Sequence, residues 1–292
     1  MKEHKKAYIF GLLAVLFWST IGSAFKISLR HSNVISLLLV ASLTSTIVIF
    51  CCLIHSRKFH YIRQFTPKDY LHSAILGLIN PFIYYIVLLK AYDILPAQEA
   101  LALNFTWPIM LVLFSILMLK QKISARSILA MLVSFAGVIV IATRGKVFGF
   151  KPTNIPGVSL ALASSIIWSL FWIYNLKDKR DEIAKLFLNF AFGTCYIFAA
   201  AILTESISLN NTKAILGGIY IGIFEMGITF VFWLKALKHS KTTAAVANLV
   251  YLIPFISVTL IGLIVEEKIY TSTITGLILI VAGIILQKKA NN

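Results

Sequence analysis

Ten apolar runs of membrane-crossing length, set apart by short polar segments, leave this chain few folds to choose from. They cover 8–25, 34–54, 70–89, 96–119, 127–143, 156–176, 183–204, 214–237, 243–265 and 272–287. About 20 residues of helix cross a hydrocarbon core. Inside that core every backbone N–H and C=O must be satisfied within the segment, which favours helices. The expected fold is therefore all-α and integral to the membrane, with ten transmembrane helices. Charged residues make up only 13% of the chain, about half the 25% of a soluble domain. No gap between the runs is long enough to hold a soluble domain. The start, MKEHKKAYIFGLLAVLFW, has the basic opening of a signal peptide. Its apolar stretch continues to about residue 25 with no small-residue cleavage site, so it reads as an uncleaved first span.

The net charge of +16 comes from 27 Lys and Arg against 11 Asp and Glu. These bases sit in short loops rather than in an aromatic-basic motif, so nucleic acid is not an expected partner. Membrane lipid headgroups are. With the N-terminus inside, 19 of the 27 bases fall on inside segments and eight on outside ones. That bias predicts both termini in the cytoplasm, and a bacterial cytoplasmic membrane as the location. The cysteines, Cys51, Cys52 and Cys195, lie within apolar runs without metal spacing. The histidines, His4, His31, His55, His60, His72 and His239, are scattered in or near loops. No metal site and no cofactor is expected.

The second half echoes the first. LLKA around Lys90 returns as WLKA around Lys235, 145 positions on. The run from Trp107 to Ser124 returns from Ile253 to Tyr270, with Pro108 and Pro254 146 apart. FWST around Trp18 resembles IWSL around Trp168. Two domains follow, 1–146 and 147–292. Each holds five spans, an odd number, so the second enters the membrane the other way up. Such inverted repeats place a transporter's site at the repeat interface near the midplane.

Glu225, in IGIFEMGITF, poses the sharpest question. A charge at a span centre costs at least about 2.5–3.5 kcal/mol, and desolvation disfavours the ionised form. A protonated structural glutamate is the plainer reading. Proton coupling or binding of a substrate ammonium is the functional one. The repeat shift sets Glu225 opposite Asn80, which puts a polar centre in both halves. Helical spacing groups Gly218, Gly222, Glu225, Thr229 and Phe232 on one face. It also pairs Trp18 with Gly22, Asn80 with Tyr84, Asn104 with Trp107, Trp168 with Trp172, and Asn248 with Tyr251. Trp233 reads as an interfacial belt residue. Glu99 is a weaker candidate, for an outer vestibule. Pro108 and Pro254 are candidate kinks or hinges.

The run ALNFTWPIMLVLFSILMLKQKIS (102–124), FWST near the start, IVEEKIY after the ninth span, and the glycine-bearing fifth and tenth spans resemble the EamA family of the drug/metabolite transporter superfamily. The resemblance covers nearly the whole chain. It implies ten helices in two inverted five-helix repeats and export of small metabolites through a central cavity. The N-F-T-W-P element with W-S-T is similar to a subgroup that includes aromatic amino-acid exporters. That likeness implies Trp18, Tyr84, Trp107 and Trp168 as lining residues. The acid often seen after the fourth span is replaced here by Lys120, Gln121 and Lys122, whereas Glu266 and Glu267 keep it in the second half.

The leading expectation is a secondary transporter exporting amino acids, aromatic or otherwise neutral, or similar small metabolites, with Glu225 as the coupling residue. Asn80, Asn104 and Asn248 would meet its polar ends. Carriage of another metabolite is the alternative, such as a nucleotide derivative or a drug-like cation. A phosphate would need buried Arg or Lys, and none is evident. A membrane enzyme is disfavoured, because the histidines are scattered and the two adjacent acid pairs, Asp181–Glu182 and Glu266–Glu267, read as solvated helix ends. Direction, coupling ion and oligomeric state stay open.

Overall fold

The computed structural model describes residues 2–95, 100, 103–143, 145–146, 154–204, 207–254, 256–257, 260 and 271–290. Among these the chain is all-helical. The helices are α1 (Lys2–Trp18), α2 (Ile21–Leu29), α3 (Val34–His55), α4 (His60–Arg63), α5 (Pro67–Gly77), α6 (Tyr84–Ile94), α7 (Trp107–Leu119), α8 (Ala125–Ala142), α9 (Ile155–Lys177), α10 (Glu182–Leu203), α11 (Thr212–Phe224), α12 (Ile228–His239), α13 (Thr243–Ala247) and α14 (Thr271–Ala290). Six stretches are long and apolar enough to cross a membrane: Lys5–Leu29, Val34–His55, Pro67–Ile94, Ile155–Lys177, Glu182–Leu203 and Thr212–His239. Four shorter apolar helices accompany them, Trp107–Leu119, Ala125–Val140, Thr243–Pro254 and Ile274–Leu286. Leu117, Leu129, Leu216 and Ile278 are each more than half exposed. Apolar side chains turned outward from helix after helix suit lipid rather than water, and the protein is an integral membrane protein.

Local sequence explains several helix ends. Asn33 starts α3 by accepting from the Ser36 N–H at 2.8 Å. Thr66 and Asp69 form a capping box on α5, with Pro67 in the first turn. Asn154 caps α9 at the Gly157 N–H, 3.0 Å away. Asp181 caps α10 through the N–H groups of Ile183 and Ala184. These caps satisfy donors that would otherwise be orphaned.

Three of the long stretches are broken. Lys5–Leu29 turns at Ser19 and Thr20. Pro67–Ile94 loses its helical path at Asn80 (φ −152°, ψ 121°), just before Pro81, whose ring carries no N–H to donate. Thr212–His239 breaks at Glu225–Gly227. The last two breaks fall on the two residues that the 145-residue shift pairs. The sequence's single polar face on the eighth span is corrected by the third break. Gly218 and Gly222 turn towards α3, at Val40 and at Ala41 and Thr44, whereas Glu225 and the residues beyond it follow a different helix axis. Gly77 and Gly193 bring α5 and α10 into close contact beside Pro81.

Candidate functional site

Two of the breaks, at Ser19–Thr20 and at Glu225–Gly227, border a small cavity. Trp18 ends α1; Ile21, Gly22 and Phe25 come from α2; Tyr84, Leu88 and Tyr92 from α6. Asn104, Phe105 and Trp107 come from the turn that opens α7, and Trp168 from α9. Glu225, Ile253 and Ser257 complete the lining. Three indoles stand edge to face around it. Trp18, Trp107 and Trp168 have centroids 5.8–6.3 Å apart and planes inclined by 64–82°. Tyr84 leans on Trp168 at 4.5 Å. The cavity holds about 60 Å³. A water molecule's share of the liquid is about 30 Å³, and ligand sites run from about 300 Å³ upward. A solute of amino-acid size therefore enters only after these walls part.

Glu225 is buried. Its Oε1 accepts from the Tyr85 hydroxyl at 3.0 Å, and its backbone carbonyl, freed by the break, accepts from Trp18 Nε1 at 3.3 Å. The opposite wall is held by α9. Ser164 Oγ accepts from Asn104 Nδ2 (2.9 Å), Thr106 Oγ1 donates to Ser165 Oγ (2.8 Å), and Ser169 Oγ donates to the Trp107 carbonyl (2.9 Å). The serines thus satisfy polar groups of a turn whose backbone is not fully helical, as a membrane interior demands. Ser257 Oγ does the same for the Ser19 carbonyl at the first break, at 2.7 Å.

Of the residues singled out from sequence, Trp18, Tyr84, Asn104, Trp107, Trp168 and Glu225 converge here. Asn80, Trp172, Asn248 and Tyr251 are not among the described lining residues. Helical spacing assigned them to the site. Trp172 packs behind Trp168 against Phe171 and Phe230. Tyr251 meets Phe135. Asn80 and Asn248 are buried, and their amide atoms have no hydrogen-bond partner among the described residues. Trp233 is no belt residue. It is fully buried and packs on Trp18 and Trp107 at 5.5 Å. Pro108 sits in the first turn of α7, where its missing N–H is tolerated. Pro254 is the last residue of the apolar helix Thr243–Pro254. Glu99, Glu266 and Glu267 lie outside the described residues.

Sequence reasoning passed over Tyr85, Tyr92, Ser164, Ser169 and Ser257. The serines carried a faint signal, ASSIIWSL with small hydroxyls flanking Trp168. It also passed over a charge cluster at one end of the helices. Arg180 binds Asp178 through Nε and Nη2 (2.7–3.1 Å), reaches the Asp69 carbonyl at 2.7 Å and lies over Phe65. Lys58 meets Asp181 at 2.6 Å, and Lys238 meets Glu182 at 2.9 Å. Lys185 is fully buried, its ammonium donating to the carbonyls of Asn175 and Asp178. Burial pushes the Asp178 carboxyl up, but its bonds to Arg180 and the charge of Lys185 outweigh that and hold it below the usual carboxylate range. Desolvation likewise opposes the Lys58 charge, yet Asp181 and Glu182 raise it overall. Among the described residues no group of His, Cys, Asp and Glu is arranged to hold a metal ion.

Comparison with known proteins bears on what this cavity does. The sequence model of the EamA-like transporter family matches residues 5–143 and 155–287. An uncharacterized transporter of Clostridium kluyveri is 28% identical over 99% of this chain and 96% of its own. The aromatic amino acid exporter YddG of Ancylobacter novellus is 26% identical over 81% of each chain. Its namesake from Salmonella typhimurium is 21% identical over 97% of this chain and 96% of its own. A solved crystal structure superposes with a TM-score of 0.80 over 97% of this chain and 96% of its own, at 23% identity, which is a likeness of fold.

Proposed function

The chain belongs to the EamA-like transporter family, and from that premise we propose that it exports amino acids, aromatic or otherwise neutral, or similar small metabolites by alternating access. The observation that carries this reading is the cavity itself. Three tryptophans, Tyr84, Asn104 and Glu225, carried by different helices, come to one place beside two helix breaks, at Ser19–Thr20 and Glu225–Gly227. An indole-lined space suits an apolar side chain, and Glu225 suits an ammonium or an exchanged proton. The distant YddG relatives support the aromatic class.

The same reading takes the chain as ten helices in two inverted repeats, 1–146 and 147–292, with both termini on the cytoplasmic side of a bacterial cytoplasmic membrane. The two-segment family match and the paired breaks at Asn80 and Glu225 support the repeats. Trp18, Tyr84, Asn104, Trp107, Trp168 and Glu225 touch the solute, and Glu225 couples its movement to protons. Asn80, Trp172, Asn248 and Tyr251 act from behind the wall, and Pro108 and Pro254 serve as hinges. A nucleotide derivative fits less well, because no Lys or Arg is among the described lining residues.

The test is counterflow of labelled phenylalanine in proteoliposomes, which needs no imposed gradient. Accumulation that Trp107→Ala and Trp168→Ala abolish is expected. Glu225→Gln is expected to flatten the pH dependence without unfolding the protein. No accumulation with any amino acid, from folded protein, removes this substrate class; unchanged transport at every pH in Glu225→Gln removes the coupling role.

A further inference from the structure

Among its described lining residues the cavity has an acid to meet the ammonium end of an amino acid and no cation to meet the carboxylate end. Glu225 is its one charged group among the described lining residues. The donors nearby are neutral: Asn104 Nδ2 bonds Ser164 Oγ, Ser257 Oγ bonds the Ser19 carbonyl and Trp18 Nε1 bonds the Glu225 carbonyl, and the hydroxyls of Tyr84 and Tyr92 and the indole N–H of Trp107 add further neutral donors. Trp168 Nε1 has no partner among the described residues and is a single neutral donor. A carboxylate carried into this space would lose its hydration beside another carboxyl group, with no Lys or Arg among the described lining residues to compensate. An ammonium would meet a carboxylate and three indole walls set steeply to one another, whose faces attract cations.

We propose that the cavity selects its solute by the ammonium end, so that its best ligands are cationic amines with an apolar body. Amino acids are accepted through their ammonium and hindered by their carboxylate. This rests on the reading of the cavity as the solute site and sharpens its substrate class. The tryptophans supply the apolar and cation-attracting surface, and Glu225 supplies the charge. Tyr85, which donates to Glu225 Oε1, is a positioning residue that holds the carboxylate at the cavity edge. The cavity must open for any of these ligands, so the preference is set by charge rather than by a preformed shape.

Three probes share one benzyl-bearing frame and differ in which charged ends they carry: phenethylamine the ammonium alone, 3-phenylpropionate the carboxylate alone, and phenylalanine both. Each is titrated at neutral pH against purified protein in detergent, with tryptophan fluorescence as the readout. Phenylalanine counterflow is run on the same preparation. Phenethylamine is expected to bind at least tenfold more tightly than phenylalanine, and phenylpropionate to bind weakest. Glu225→Gln is expected to erase the preference, and Glu225→Asp, which keeps the charge, to retain part of it. Phenylalanine binding as tightly as phenethylamine overturns the proposal, as does a preference that survives in Glu225→Gln. Binding of none of the three also overturns it. In each case the counterflow result decides separately whether the carrier reading falls too. If Glu225→Gln melts early, Glu225→Asp and the wild-type order of the three probes still decide the matter.

Discussion

Gly193→Ala is expected to destabilise the protein, although alanine is the better helix former. In a helix interior the exchange by itself gains about 0.5–1 kcal/mol. Space decides against it. A Cβ on Gly193 would lie 2.3 Å from Pro81 Cδ, 2.6 Å from Pro81 Cγ and 3.0 Å from the Gly77 carbonyl oxygen. Carbon contacts are comfortable from about 3.5 Å, so the facing segment would have to retreat by about 1 Å. A pyrrolidine ring and a backbone atom cannot swing aside as a long side chain can. Over-packing costs about 1–3 kcal/mol, and rigid obstacles call for the upper half of that range. The net loss is then about 1–2.5 kcal/mol. At about 2–4 °C per kcal/mol for a domain of this order of size, the melting point drops by about 2–10 °C. Intrinsic tryptophan fluorescence during heating in detergent measures it. Gly22→Ala is the control. Gly22 lines the cavity, and a Cβ there meets nothing within 4 Å. It should melt at or slightly above the parent while narrowing the cavity and slowing transport. A Gly193→Ala protein as stable as the parent, beside an unstable Gly22→Ala, would refute the packing argument.

At the charged end, Asp178→Asn is expected to destabilise by about 1.5–3 kcal/mol, the range for a hydrogen bond to a charged group. Arg180→Lys should lose part of the same, because lysine cannot reproduce the two-pronged contact. The Asp178 carboxyl is held below its ordinary value, so its contribution is full above the unfolded value of about 3.9 and vanishes as pH falls through the depressed one. The gap in melting point between parent and Asp178→Asn should therefore hold from pH 7 down to about pH 4 and narrow only below it; a gap that does not narrow on further acidification would count against this assignment. Ser164→Ala leaves Asn104 Nδ2 without the partner shown here, and is expected to cost about 1–3 kcal/mol, read in the same melting assay. An unchanged melting point would mean that Asn104 finds another acceptor.

The ten apolar runs and the short basic loops already dictate a helical membrane protein, because lipid tolerates no unsatisfied backbone. The internal echo and Glu225 were visible too, since a carboxylate in a span stands out against its neighbours. Six site candidates, Trp18, Tyr84, Asn104, Trp107, Trp168 and Glu225, were readable because aromatic and polar residues in an apolar run are conspicuous one by one. Which of them share a space was not readable. Helical spacing assumes a straight axis, and the axes break at Ser19–Thr20, Asn80 and Glu225–Gly227. A break rotates everything beyond it, so Gly222 faces α3 while Glu225, three residues on, faces the cavity. Asn248 and Tyr251 looked as good as Asn104 and Trp107, yet Ile253 and Ser257 line the space instead. The arginine at Arg180 looked like a loop charge until folding set it between Asp178, the Asp69 carbonyl and Phe65. Sequence alone determined the solvent this chain lives in and the chemistry it carries there. Only tertiary packing decided which side chains meet, because the meeting point is set by where freed backbone groups find partners on other helices.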